Sequence, residues 1–273
     1  MKNILITGCS SGIGLETAKL LDASGIKVYA TARKQEDVEK LKELGLKAFL
    51  LDVTNEKHIK TMLEQIYSID GKIDAVFNNA GFGQPGAVED ITVPVLKEQF
   101  ETNVFGMHEV TRQTLVYMRK QGYGKIIQHS SVLGIISLKF RGAYNCSKYA
   151  IEGLADTLRL ELSNTNISVS TINTGPVTSK FRENALKNFR KNIDIENSAF
   201  SEVYKKELKE RLENDKDDTP FNLPASSVAN VVLKILESSK PKPRYYVTKA
   251  TYLLGFLKRI LSTSLLDKIL NKI

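Results

Sequence analysis

Tyr144 and Lys148 stand four residues apart, behind a serine pair, Ser130 and Ser131, that closes a strand-like run at residues 125–129. Four residues is about one helical turn, which puts both side chains on one helix face. A phenol ionises near pH ~10 in water, and an ammonium group beside it favours the phenolate. Such a pair can pass a proton to or from an oxygen atom near neutral pH. The same spacing also occurs on plain surface helices, so it implies chemistry only if the chain supplies something for that proton to serve.

A second cluster lies at the N-terminus. The segment Thr7 to Gly14 reads TGCSSGIG, with Gly8, Gly12 and Gly14 spaced Gly-x-x-x-Gly-x-Gly between an apolar run and a helical pattern. Glycines let a backbone turn tightly and approach a pyrophosphate, and a helix N-terminus offers it free N–H groups. A plain strand-to-helix turn is the other reading. The next apolar run ends in Ala32, Arg33 and Lys34, where dinucleotide folds place a carboxylate on the adenosine ribose. Arg33 instead suits a 2′-phosphate, which points to NADP(H) over NAD(H); the alternative is a solvated basic pair.

Short aliphatic runs at 4–7, 28–31, 48–51, 75–77, 126–129, 168–172 and 245–248 alternate with helical patterns, among them 12–24, 35–44, 55–69 and a long one at 93–121. This alternation predicts one α/β domain over residues 1–273, a Rossmann-type doubly wound parallel sheet with helices on both faces. Two segments break the rhythm. Residues 174–225 form an insertion that reads as a helical flap over a substrate, with a helix at 202–213 and a polar break at 215–220. Residues 249–273 form a basic amphipathic helical tail.

The ordered motifs Thr7–Gly14, Leu51-Asp52-Val53, Asn78-Asn79-Ala80-Gly81, Asn103, Ser131, Tyr144 with Lys148, and Thr174-Gly175-Pro176-Val177 closely resemble the classical short-chain dehydrogenase/reductase family, in its steroid- and retinol-type branch. The resemblance implies hydride transfer between a nicotinamide and a carbonyl or alcohol. Ser131 would polarise the carbonyl, and Tyr144 would exchange its proton. Lys148 would lower the Tyr144 pKa and bind the nicotinamide ribose, and Asn103 would hold a water linking Lys148 to solvent. Gly8, Ser10, Ser11, Gly12, Ile13 and Gly14 would cradle the cofactor. Asp52 would meet the adenine amino group, with Val53 beside it. Asn79, Ala80 and Gly81 would shape the adenosine side, and Gly175, Pro176, Val177 and Ser179 would enclose the carboxamide. Thr174 stands where the family usually has proline. A non-catalytic NADP(H)-binding regulator of the same fold is the other functional class, although such proteins usually lack the tyrosine or lysine.

Leu133, Leu138, Phe140, Val177, Phe181, Leu186 and Phe189 are the expected pocket residues, which suits a hydrophobic substrate: a steroid, a retinoid, or a fatty or aromatic carbonyl. No metal is expected, because the three histidines and the two cysteines, Cys9 and Cys146, are dispersed. Both cysteines read as packing residues, and His129 and His58 as strand-end and surface residues. The start of the chain reads straight into a strand, so no targeting segment and a cytoplasmic protein are expected. The net charge is +8, but residues 240–273 hold eight basic side chains against one acidic, +7, leaving +1 for the rest. That placement disfavours nucleic acid as a partner. The tail either packs on the body or a partner subunit, or lies on a membrane. By resemblance, the helical patterns at 93–121 and 143–163 would form a homodimer or homotetramer interface.

Overall fold

The computed structural model describes residues 1–208 and 220–273. The strands are β1 (Asn3–Ile6), β2 (Lys27–Ala32), β3 (Lys47–Leu50), β4 (Ala75–Asn78), β5 (Tyr123–Ser131), β6 (Asn166–Thr174) and β7 (Arg244–Tyr246). They form one sheet in the order β3-β2-β1-β4-β5-β6-β7, parallel at every pairing. β1 shows why this is a two-faced core. All four of its residues are buried, and successive side chains point to opposite faces. Ile4 and Ile6 join Ala18, Leu21, Val38 and Val232 on one side. Leu5 joins Ile59, Leu63, Val110 and Ala155 on the other.

The first side is covered by α1 (Gly12–Ala23), α2 (Gln35–Glu43) and α8 (Ser226–Glu237). The second is covered by α3 (Glu56–Asp70), α5 (Met107–Gln121) and α6 (Gly142–Glu161). α3 starts where the Asn55 side chain accepts from the Lys57 and His58 amides, and it stops at Gly71 in a left-handed conformation. The chain winds outward through β2 and β3, then returns to place β4 on the far side of β1. That reversal opens a crevice at the carboxyl ends of β1 and β4.

Two expected elements differ in detail. The pattern at 93–121 is not one α-helix: α4 (Val93–Phe100) and α5 are joined by a π-helical turn, Glu101–Gly106. The flap contributes α7 (Phe181–Asn192), a short turn at Ser201–Val203 and a π turn at Tyr204–Leu208. The rest of the expected helix at 202–213, and residues 215–219 of the expected break, lie outside the described residues. The flap is tied down by Tyr204, whose hydroxyl donates to Asp90 and accepts from the Ala87 amide at 2.7 Å. The tail is a pair of helices, α9 (Lys249–Ile260) and α10 (Thr263–Leu270).

Candidate active site

The phosphate-type loop forms between β1 and α1. Gly8 has a left-handed φ of 73°, and a Cβ there would sit 2.9 Å from the Ala80 Cα. A Cβ on Gly14 would overlap the Gly8 carbonyl oxygen. Only glycine therefore lets α1 start this close to the strand end. No side chain caps the start of α1, so its first-turn N–H groups are left for a ligand. The Thr7 hydroxyl accepts from the amides of Asn79 and Ala80, each at 3.0 Å, which ties this loop to the end of β4.

The crevice is a cleft of about 610 Å³, a normal size for a small-molecule site. Gly8, Ser10, Ser11, Gly12, Ile13, Arg33, Asp52, Val53, Asn79, Ala80 and Gly81 line one end of it. Ser131, Tyr144, Lys148, Gly175, Pro176, Val177 and Ser179 line the other. A glycine cradle, a bare helix N-terminus and the cation Arg33 in one cleft fit an anionic dinucleotide. Lys34 pairs with Glu36 at 3.3 Å, whereas no carboxylate among the described residues pairs with Arg33. The Asp52 carboxylate accepts from the Thr54 amide and hydroxyl at 3.0 and 2.7 Å, which fixes its direction.

At the reactive end, the Lys148 ammonium donates to the His129 carbonyl at 2.6 Å and lies 5.4 Å from the centre of the Tyr144 ring. Ser131 Oγ accepts from the Leu133 amide at 3.1 Å. Burial pushes the Lys148 amine down to about 8, against the opposing charge of Glu152. Burial raises the Tyr144 phenol above its ordinary value, and only a hydrogen bond with Ser131 offsets this in part. The expected lowering of the Tyr144 pKa by Lys148 is not seen: burial raises the phenol, and the opposing contact comes from Ser131. The phenol therefore stays protonated, ready to act as an acid.

Two expected site residues are not in the cleft. Gly14 packs beneath the loop rather than facing the ligand side. Asn103 is buried, and its amide clamps Phe82: Oδ1 accepts from the Phe82 amide at 3.0 Å, and Nδ2 donates to the Phe82 carbonyl at 2.9 Å and to Ser147 at 3.2 Å. With its side chain committed in this way, Asn103 positions the loop after Gly81. The π turn turns this side chain inward at the join of two helices.

The expected pocket residues also divide. Leu133, Leu138, Val177 and Phe181 line the cleft. Phe140 and Phe189 instead pack around Tyr204 in the flap's own small core, with ring centres 5.7 and 5.1 Å from it. Leu186 does not reach the cleft. Nor is the substrate end wholly apolar, because Glu98, Arg141, Arg182, Lys187, Asn184 and Asn188 also line it, with Lys187 paired to Glu183 at 2.6 Å. Phe181 lies over Tyr144, ring centres 5.3 Å apart.

His129 was not expected here. It lines the cleft floor, and burial pushes its imidazole down to about 3, so it is neutral. Asn79 spends both amide hydrogens on the Thr7 and Gly8 carbonyls, each at 3.0 Å. Its Oδ1 must therefore accept from His129 Nδ1–H, at 3.0 Å. Nε2 is then the acceptor for the Thr174 hydroxyl at 3.4 Å. Thr174, in place of the expected proline, thus completes a bridge from the glycine loop through Asn79 and His129 to the loop carrying Gly175. The available signal was strand parity, since His129 and Ser131 share a face of β5. Cys146 is a further correction: it is exposed on α6, not packed, whereas Cys9 is buried.

Residues 2–189 match the family model described as short chain dehydrogenase. An uncharacterized oxidoreductase, YbbO, of Escherichia coli is 37% identical over 271 residues, covering 99% of this chain and 94% of that one. An NADPH-dependent 3-dehydrocapnine reductase of Ornithobacterium rhinotracheale is 28% identical, with 100% and 97% covered. Among solved structures, a short-chain dehydrogenase from Streptomyces avermitilis superimposes with a TM-score of 0.79 at 27% identity, covering 99% of this chain and 94% of the other.

Proposed function

The chain belongs to the short-chain dehydrogenase family and is an NAD(P)-dependent oxidoreductase; within that class, we propose that it reduces carbonyl groups on largely apolar, fatty molecules and prefers NADPH. The observation that carries this reading is Tyr144, a half-buried phenol beside Ser131 and Lys148 at the end of a cleft whose other end is a glycine cradle. When bound, the nicotinamide supplies a hydride to the carbonyl carbon. Ser131 donates a hydrogen bond to the carbonyl oxygen, and Tyr144 delivers the proton that turns that oxygen into a hydroxyl. Lys148 holds positive charge next to the developing phenolate.

Cofactor preference rests on Arg33, which faces the cleft with no carboxylate partner among the described residues, where an NAD-type site would carry an acid. The relative named as NADPH-dependent supports the same choice. Asp52 would accept from the adenine amino group, and Gly175 to Val177 with Ser179 would flank the carboxamide. On the substrate side, Leu133, Leu138 and Phe181 suit an aliphatic chain, and the charged and amide rim of Glu98, Arg141, Arg182, Asn184 and Asn188 suits a polar head. This combination favours a fatty carbonyl compound over a steroid or retinoid. Exposed Phe105, Val116, Leu154 and Leu160, on the segments expected to pair, support a homodimer or homotetramer.

The test is turnover on a panel of fatty 3-keto acids and their thioesters, steroids, retinal and aromatic aldehydes, with NADPH and NADH in parallel. The reading expects the fatty acids to lead and NADPH to be preferred. A panel led by steroid ketones or retinal, or reduction that prefers NADH, would refute it.

A further inference from the structure

The two tail helices carry two apolar faces, and only one is used. Leu254 and Leu266 are buried against Val132, Leu133 and Ile136, with Leu257 and Leu261 beside them. On the opposite face of α9, Tyr252, Leu253, Phe256 and Ile260 are between 52% and 60% exposed. Their spacing places them on one side of the helix, which is ~18 Å long. Lys249 and Arg259 flank that strip, Lys258, Lys268 and Lys272 are exposed around it, and Asp267 is the only acidic residue from 240 to 273.

We propose that this face docks on an anionic lipid surface. Its apolar side chains would enter the acyl boundary while the cations meet headgroups. A second copy fits poorly, because it would bring two strongly positive tails together. No helix among the described residues is long and apolar enough to cross a membrane, so the tail lies along the surface. The geometry adds a consequence. The buried side of the same helix packs on Val132 and Leu133, which line the cleft, so docking would bring the substrate end within about one helix diameter, ~10 Å, of the lipid. The docking does not depend on which carbonyl is reduced.

The test is co-sedimentation of the full chain with vesicles of phosphatidylcholine alone, and with roughly 30 mol% phosphatidylglycerol added. Binding is expected only on the anionic vesicles and should weaken with salt. Lys249→Gln and Arg259→Gln should each weaken it about fivefold. Phe256→Glu with Ile260→Glu should abolish it while leaving the melting temperature and turnover of a water-soluble carbonyl unchanged. No binding to anionic vesicles, or full binding by the double glutamate variant, would overturn the proposal. So would a concentration-dependent dimer that Phe256→Glu dissolves, since the face would then belong to a second copy.

Discussion

Replacing Lys148 with methionine should make the cofactor-free protein more stable while destroying its chemistry. Lys148 is 6% exposed, and burial lowers its amine from 10.5 to about 8. At neutral pH the unfolded chain carries this charge in water, whereas the folded one carries it in a desolvated site. At about 1.4 kcal/mol for each tenfold in proton affinity, that costs roughly 3 kcal/mol. Methionine has a similar length and no charge. It forfeits the bond to the His129 carbonyl, about 1 kcal/mol, so the net gain should be about 2 kcal/mol. Glu152 is not stranded by the change, because it keeps Arg244 at 2.9 Å and Asn173 at 2.7 Å. The sign with pH is fixed. A lysine whose folded pKa is lowered exacts its full cost below pH 8; above that the folded lysine has shed its proton while the unfolded chain keeps it, so the cost fades and ends near 10.5, where both are neutral. Urea unfolding of both proteins at pH 7 and pH 10 measures this. The methionine variant should lead at pH 7 and lose most of its lead by pH 10. A variant no more stable than the parent at pH 7, or a lead that is constant with pH, would refute the reasoning.

Arg33→Ala should weaken NADPH about 10- to 100-fold, the loss of one charge-assisted contact, and leave NADH nearly unchanged; fluorescence titration of both cofactors checks this. His129→Leu removes two buried hydrogen bonds and should cost about 2 kcal/mol in urea. In the parent, nitrogen-15 spectra should show a neutral Nδ1–H imidazole down to about pH 4, consistent with a group pushed to about 3. Thiol labelling at pH 8 should modify exposed Cys146 quickly and Cys9 only on unfolding, because burial pushes the Cys9 thiol up to about 12; mass spectrometry should find one adduct per folded chain.

The layered sheet was legible because its strands are short, buried runs and the chain alternates them with helical periods. The glycine loop was legible because Gly8 and Gly14 meet backbone with no room for a Cβ, which leaves a fixed spacing in the sequence. What was hidden depends on partners distant in the chain. Asn103 reads the same in sequence whether its amide is free or clamps Phe82, 21 residues away. Phe140 and Phe189 look like pocket residues until Tyr204 gathers them into a separate core. Strand parity puts His129 on the face of Ser131, but its role depends on Asn79 and Thr174 arriving from β4 and β6. The tail's periodicity counted both apolar faces together, and only the fold shows that Val132 and Ile136 take one and leave the other bare.

The central claim, that Tyr144 is the proton donor in a cleft built for NADPH, is tested most directly by Tyr144→Phe. The change deletes one hydroxyl and leaves the ring packed on Phe181. Single-turnover and steady-state assays with NADPH and the best carbonyl of the panel should show turnover reduced by at least ~100-fold, with NADPH titrating as it does in the parent. Turnover near that of the parent in this variant would contradict the account.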